Sequence, residues 1–87
     1  MAALVIPLTT HGAVSAKADL GDYLYDLTNA GIGGPQSELE SLGLLACAQA
    51  GSGVPRENSL DAIQLDTRLS AADAGFLYDS ARHFLCP

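Results

Sequence analysis

Apolar residues recur at helical spacing along four segments of this chain, and short connections containing Gly or Pro separate the segments. The first segment is DLGDYLYDLTNAG, residues 19–31, with its apolar positions at Leu20, Tyr23, Leu24, Leu27 and Ala30. Their offsets of 3, 4, 7 and 10 residues place them on one face of a helix. Asp19 and Asp22 fall in the first turn, where carboxylates suit the helix dipole, and Gly31 suits the position beyond the C-cap.

A second helix is predicted after the connection GIGGP, with Pro35 in its first turn. The helical period in QSELESLGLLACAQAG is carried by Leu39, Leu42, Leu45, Ala46 and Gln49, with Cys47 beside them. Gly43 costs ~1 kcal/mol relative to Ala inside a helix, so we expect it to permit close packing against a neighbouring element. The sequence GSG at 51–53 ends this helix.

Two further helices complete the prediction. The third covers roughly residues 55–67, and its few apolar contacts are Leu60, Ile63 and Leu65. The fourth begins after Ser70, which can cap it, and Asp73 lies three residues on, as in a capping box. Its apolar face comprises Ala72, Phe76, Leu77, Ser80, Ala81 and Phe84. No alternating strand pattern follows residue 19, so the fold class is all-α, a small bundle of about four short helices.

The first 18 residues have a different character. Residues 2–8 are apolar, and Ala16 and Ala18 provide the small residues of an A-x-A cleavage site. We therefore expect a secretory signal peptide in residues 1–18, although no positive charge precedes its apolar part, and a helical domain in residues 19–87. The alternative is an N-terminal strand or tail of a cytosolic protein, but Pro7 disfavours a central strand.

The charge balance limits the partners. The chain has ten Asp plus Glu against four Lys plus Arg, a formal net charge of −6. Nucleic acid is not expected as a partner, because its phosphates need clustered cations and Arg56, Arg68 and Arg82 are scattered. No apolar run approaches the ~20 residues that cross a bilayer, so no transmembrane span is expected. A core this small usually needs an additional link, such as a disulfide.

Cys47 and Cys86 are the two cysteines. If the protein is exported, a disulfide is their simplest use. It would close a loop of about 40 residues, contribute ~4 kcal/mol, and require the last helix to lie against the second. The alternative uses Cys86 in its Cys-Pro dipeptide, with His83 one turn before it, as ligands of haem or a metal. Zinc prefers four ligands, and the domain offers only three soft side chains: Cys47, Cys86 and His83. No cofactor or metal is therefore expected.

Catalytic groups are not evident. Asp22 and Asp26 lie four residues apart on one helix, but a working carboxylate pair needs burial, and a solvated acidic face is the expected arrangement. No serine has a G-x-S-x-G setting, and His83 is the domain's single candidate base. We therefore expect no enzyme. Tyr25 falls off the apolar stripe, and an exposed Tyr indicates a possible partner surface.

Four stretches carry a family resemblance: DYLYDLTNAGI, GLLAC, GSG, and the closing run LSAADAGFLYDSARHFLCP. From Asp22 to Pro87 the chain resembles the mycobacterial secreted proteins grouped as domain of unknown function 732. The resemblance implies an exported small helical bundle in which Cys47 and Cys86 are disulfide partners. The stretch VPRENSLDAIQLDTR is more polar than the usual third helix of that family. No activity is implied, because none is established for the family.

These observations predict a secreted or cell-envelope protein that acts as a non-catalytic binding module. Its partner would be a protein or a small molecule, and it would be a monomer or a weak homo-oligomer. The alternative is a carrier of haem or an apolar small ligand, bound on the last helix near Tyr78, His83 and Phe84. A secreted hydrolase is a third possibility, for which the sequence offers no set of catalytic residues.

Overall fold

The computed structural model describes residues 19–86. They form four helices: α1 at residues 19–29, α2 at Gln36–Gly51, α3 at Arg56–Asp66 and α4 at Ala71–Phe84. No strand occurs between residues 19 and 86, so the prediction of an all-α fold is confirmed. The expected signal peptide, residues 1–18, lies outside the described residues, as does Pro87.

The first two helices end in the same way, through a glycine with positive φ. Gly31 has a φ of +80°; its N–H donates to the Thr28 carbonyl at 3.0 Å, and that of Ile32 donates to the Leu27 carbonyl at 2.9 Å. This pair of bonds is the Schellman motif, and the buried Leu27 and Ile32 supply its hydrophobic contact. Gly53, with a φ of +86°, ends α2 through equivalent bonds. The predicted stop at Gly31 is confirmed.

The starts of the helices depend on two kinds of residue. Pro35 and Pro55 are the N-caps of α2 and α3, both with extended backbone, so Pro35 lies one residue before the first helical position. The Ser70 hydroxyl accepts a hydrogen bond from the Asp73 N–H at 3.1 Å and caps α4 as predicted. Arg82 and His83 occupy its last turn, which suits the negative end of the helix dipole.

The core lies where α1, α2 and α3 meet α4, which is in contact with both α2 and α3. Its buried side chains are Tyr23, Leu27, Ile32, Leu39, Leu42, Ala46, Ile63, Ala74, Leu77, Tyr78, Ala81 and Leu85. Leu20, Leu24 and Leu60 are partly buried against it, as the sequence pattern predicted.

Several positions expected in the core are exposed. Leu45 is 38% exposed and Leu65 is 86% exposed, because the buried faces of α2 and α3 are centred on Leu42 and Ile63. On α4 the expected Ala72 and Phe76 are exposed. Ala74 and Tyr78 are buried in their place, since α4 contacts both α2 and α3. Ala30 is also exposed, at the end of α1.

A close contact between α1 and α2 depends on Gly43. A Cβ atom at Gly43 would lie 2.6 Å from Leu85 Cδ1 and 2.8 Å from both Cζ and the hydroxyl of Tyr23. Tyr23 is fully buried, and its hydroxyl donates a hydrogen bond of 2.7 Å to the Leu39 carbonyl. The tyrosine ring therefore occupies the space that a side chain at Gly43 would need. Close packing at this glycine was predicted from the sequence, but its partner Tyr23 was not.

Removing the Tyr23 hydroxyl is expected to lower the free energy of unfolding by about 1 kcal/mol, because one buried hydrogen bond is lost. Burial also raises the pKa of Tyr23. The stability that the protonated phenol supplies is therefore complete below pH ~10, the ordinary pKa of Tyr, and is lost as the pH rises above it. Urea unfolding of Tyr23→Phe at pH 7 and pH 11 measures both effects. Tyr25→Phe, at an exposed position, is the matched control and should behave as the wild type.

The two cysteines form a disulfide with a Cα–Cα distance of 5.3 Å, linking α2 to the segment that follows α4. The predicted pair is confirmed, and α4 lies against α2 as that bond requires. Neither cysteine is free, so Cys86 has no thiolate to offer as a haem or metal ligand in this state.

Candidate functional site

A surface groove lies between the first and last helices. We call it the α1–α4 groove; its volume is about 280 Å³, and its lining consists of Asp26, Phe76, Asp79, Ser80, His83 and Phe84. Four of these residues follow one another along α4 at positions 76, 79, 80 and 83, a spacing that forms one helical stripe. Because that stripe lies beside the core-facing side of α4, it combines aromatic side chains with polar ones.

Two of the three residues predicted to bind a ligand come together here. The rings of His83 and Phe84 meet edge to face, with 4.6 Å between their centroids. Tyr78 does not join them: it is buried, is not part of the groove lining, and lies beneath the guanidinium groups of Arg56 and Arg82. Small-molecule pockets usually enclose about 300–1,000 Å³, so this groove lies just below their range. A ligand carrier stays a prediction, now limited to His83 and Phe84.

The groove's α1 side is formed by Asp26. The Asp26 carboxylate is half-buried and accepts a hydrogen bond of 2.8 Å from the Ser80 hydroxyl. The expected solvated acidic face describes Asp22, which is exposed, whereas Asp26 is half-buried and bonded to Ser80. Sequence reasoning placed Ser80 on the buried face of α4, and a buried hydroxyl requires a partner. The partner is 54 residues away, so no local pattern identifies it.

Asp79, on the opposite side of the groove, is already paired. Its two carboxylate oxygens accept hydrogen bonds from Nε and Nη2 of Arg56 at 3.1 and 2.8 Å, a two-point contact between α3 and α4. The hydrogen bond and then the charge of Asp79 raise the pKa of Arg56. No ion pair reaches Asp26 from any residue in 19–86. Asp26 is therefore the carboxylate of the groove whose charge is not compensated within that range.

Two other pockets differ from the groove in chemistry. A larger one, about 400 Å³, is lined by Gly33, Glu38, Leu39, Leu42, Asp66, Thr67, Arg68 and Leu69. Its lining is apolar at the three leucines and carries charges of both signs. A smaller one, about 200 Å³, lies beside the disulfide and includes Arg82.

Residues 19–86 contain neither a metal-binding cluster nor a membrane-spanning helix. No group of three or more His, Cys, Asp or Glu side chains is arranged to hold a metal ion. None of the helices in this range combines the length and the apolar character needed to cross a bilayer.

The fold and the groove define a small disulfide-bonded helical domain with a polar and aromatic surface cleft. The chain belongs to the family described as "Protein of unknown function (DUF732)", whose model matches residues 16–87. The resemblance seen in the sequence is thereby confirmed. Comparisons with curated proteins and with solved structures gave no significant match. The family description assigns no activity, so a proposal for function must come from the geometry of this chain.

Proposed function

We propose that this protein is exported and works in the extracellular space or the cell envelope as a non-catalytic binding module. The observation that carries the proposal is the disulfide between Cys47 and Cys86. Disulfides persist in oxidising compartments and are rare where the cytosol keeps thiols reduced, and small exported domains use them to supplement a limited core. The A-x-A pattern at residues 16–18 supports the same assignment.

The arrangement of polar side chains supports binding in preference to catalysis. The two carboxylates of the α1–α4 groove are engaged by Ser80 and Arg56, which gives both structural partners. His83 contacts the ring of Phe84. Within residues 19–86, no serine hydroxyl forms a hydrogen bond with the His83 imidazole. A nucleophile and base in hydrogen-bond contact, the usual arrangement for covalent catalysis, is not formed by these groups. Exposed aromatic side chains such as Tyr25, 69% exposed, are typical of binding surfaces.

The proposal predicts a processed and oxidised protein outside the cytoplasm. The full chain would be expressed in a bacterial host with an intact secretion pathway, and the envelope and medium fractions analysed by N-terminal sequencing and non-reducing intact mass. We expect a chain that starts at Asp19 and resists alkylation until it is reduced. Ala18→Asp should block processing, because the cleavage site needs a small residue there. Recovery of intact Met1 in the cytosol with both cysteines alkylated would contradict the proposal.

A further inference from the structure

We propose that the α1–α4 groove is a docking surface for a cationic, partly apolar peptide segment of another protein. This inference rests on the binding function proposed above and names the class of partner. Three features of one groove carry it together: a carboxylate that pairs with no cation of residues 19–86, exposed aromatic rings, and a lining without Lys or Arg.

The charge on the α1 side of the groove is uniformly negative. Asp19, Asp22 and Asp26 follow the spacing of one helical face, and residues 19–29 contain no Lys or Arg. The whole of residues 19–86 is also strongly negative: it contains all ten acidic residues and only three Arg, a formal charge of −7. Such a field attracts cationic partners and speeds their encounter.

None of the three arginines belongs to the groove lining, although Arg56 reaches its edge by pairing with Asp79. Arg56 is bound to Asp79, Arg68 lines the larger pocket, and Arg82 directs its guanidinium to the Tyr78 hydroxyl at 3.4 Å. An incoming cation at Asp26 therefore meets no competing guanidinium in the groove lining. The hydroxyl of Ser80 occupies one site on Asp26, and an ionised carboxylate has about four acceptor sites, so it can accept further bonds from Lys or Arg.

The α4 side supplies the apolar part of the surface. Phe76 is 38% exposed, and Phe84 is half-buried with its ring against His83. Aromatic faces attract ammonium and guanidinium groups, and the aliphatic stems of Lys and Arg pack well on them. The stripe from residue 76 to residue 83 rises by ~10 Å along α4, which is the length of about two helical turns or three extended residues of a partner. A groove that is open along this length suits a peptide segment better than a compact small molecule.

The other exposed features fit a single class of partner less well. The larger pocket carries Glu38, Asp66 and Arg68, so its charges do not favour one sign. The pocket beside the disulfide includes Arg82, which would repel a cation. Leu44 and Leu65 are exposed but line none of these three pockets, and single exposed apolar residues are common on protein surfaces.

The test uses a labelled 12-residue peptide of alternating Leu and Lys, and its counterpart with Glu in place of Lys, added to the oxidised protein. Fluorescence anisotropy gives the Kd, and NMR amide shifts locate the site. We expect the Lys peptide to bind, the Glu peptide to bind at least about tenfold more weakly, and the largest shifts to fall on α1 and α4.

Matched variants separate the groove from the general negative charge. Asp26→Asn keeps an acceptor for Ser80 while removing the charge, and Asp61→Asn removes an exposed charge on α3 outside the groove. Phe76→Ala is paired with Leu65→Ala in the same way. We expect each groove variant to raise the Kd about fivefold and each control to change it less than twofold.

The inference would be overturned by equal effects of Asp26→Asn and Asp61→Asn, by equal binding of the Glu peptide, or by no binding of either peptide at millimolar concentration. Shifts centred on the larger pocket would also overturn it, but would leave the proposed binding function intact by placing binding elsewhere. Failure of export, in contrast, would contradict the proposed function without altering the peptide measurement.

Discussion

Replacing Cys47 and Cys86 together by alanine is expected to lower the free energy of unfolding by about 4 kcal/mol. The disulfide joins residues 39 apart in sequence, and the chain-entropy account assigns ~4 kcal/mol to closing a loop of this length in the unfolded chain. A small domain has a total stability of roughly 5–15 kcal/mol, so most of the stability at the lower end of that range depends on this bond. Alanine is used because both positions are half-buried and serine would add two hydroxyls to them.

Urea unfolding followed by circular dichroism measures the difference between the oxidised wild type and the double variant. Reduction of the wild type should lower its unfolding midpoint to that of the double variant, and the same reductant should leave the double variant unchanged. This control separates the effect of the covalent link from that of the substituted side chains. A double variant within 1 kcal/mol of the oxidised wild type would contradict the prediction. In that case the packing of α4 against α2 would hold the domain together without the disulfide.

The features that the sequence predicted well are governed by local chemistry. Gly31 ends α1 because its positive φ is required within the same few residues that form the Schellman bonds. Ser70 caps α4 because its partner, the Asp73 N–H, is three residues away. The disulfide is not a local feature, but it could be predicted because two cysteines leave a single pairing within the chain.

The predictions failed where the burial of a side chain depends on which other helices pack against its own. Phe76 and Tyr78 both flank Leu77 on α4, and apolar periodicity alone does not decide which of them is buried. The contacts of α4 with both α2 and α3 bury Tyr78 and leave Phe76 at the groove. On α2, Leu45 is likewise exposed, because the neighbouring helices cover the stripe that contains Leu42 and Ala46.

The candidate site was predicted only in part. His83 and Phe84 are consecutive and therefore close in any fold, but neighbouring helical side chains do not face each other, so their ring contact was not predictable. Tyr78 is five residues before His83, a spacing that turns it to another face. The groove's polar contacts join Asp26 to Ser80 and Arg56 to Asp79, pairs separated by 54 and 23 residues. Contacts of such separation arise only when the helices pack, so the sequence pattern did not contain them.

Replacing Gly43 by alanine is expected to destabilise the protein by about 2 kcal/mol, although alanine is the better helix former by ~1 kcal/mol. The added Cβ would lie 2.6 Å from Leu85 Cδ1 and 2.8 Å from the Tyr23 ring and hydroxyl. The Leu85 methyl group lies at the end of a flexible side chain and can turn away. The Tyr23 ring cannot move freely, because it is fully buried and its hydroxyl is bound to the Leu39 carbonyl. The overlap therefore either separates α1 from α2 or breaks that hydrogen bond.

Gly21→Ala is the matched control, since a Cβ at Gly21 of α1 meets no atom within 4 Å and gains only helix propensity. We expect it to stabilise the protein by up to ~1 kcal/mol, so that the same chemical change has opposite signs at the two positions. Urea unfolding at pH 7 gives both values. In the double variant Gly43→Ala with Tyr23→Phe, the second change should cost less than it does alone, because the hydrogen bond it removes is already strained. Gly43→Ala with the stability of the wild type would mean that α1 moves away from α2 at little cost.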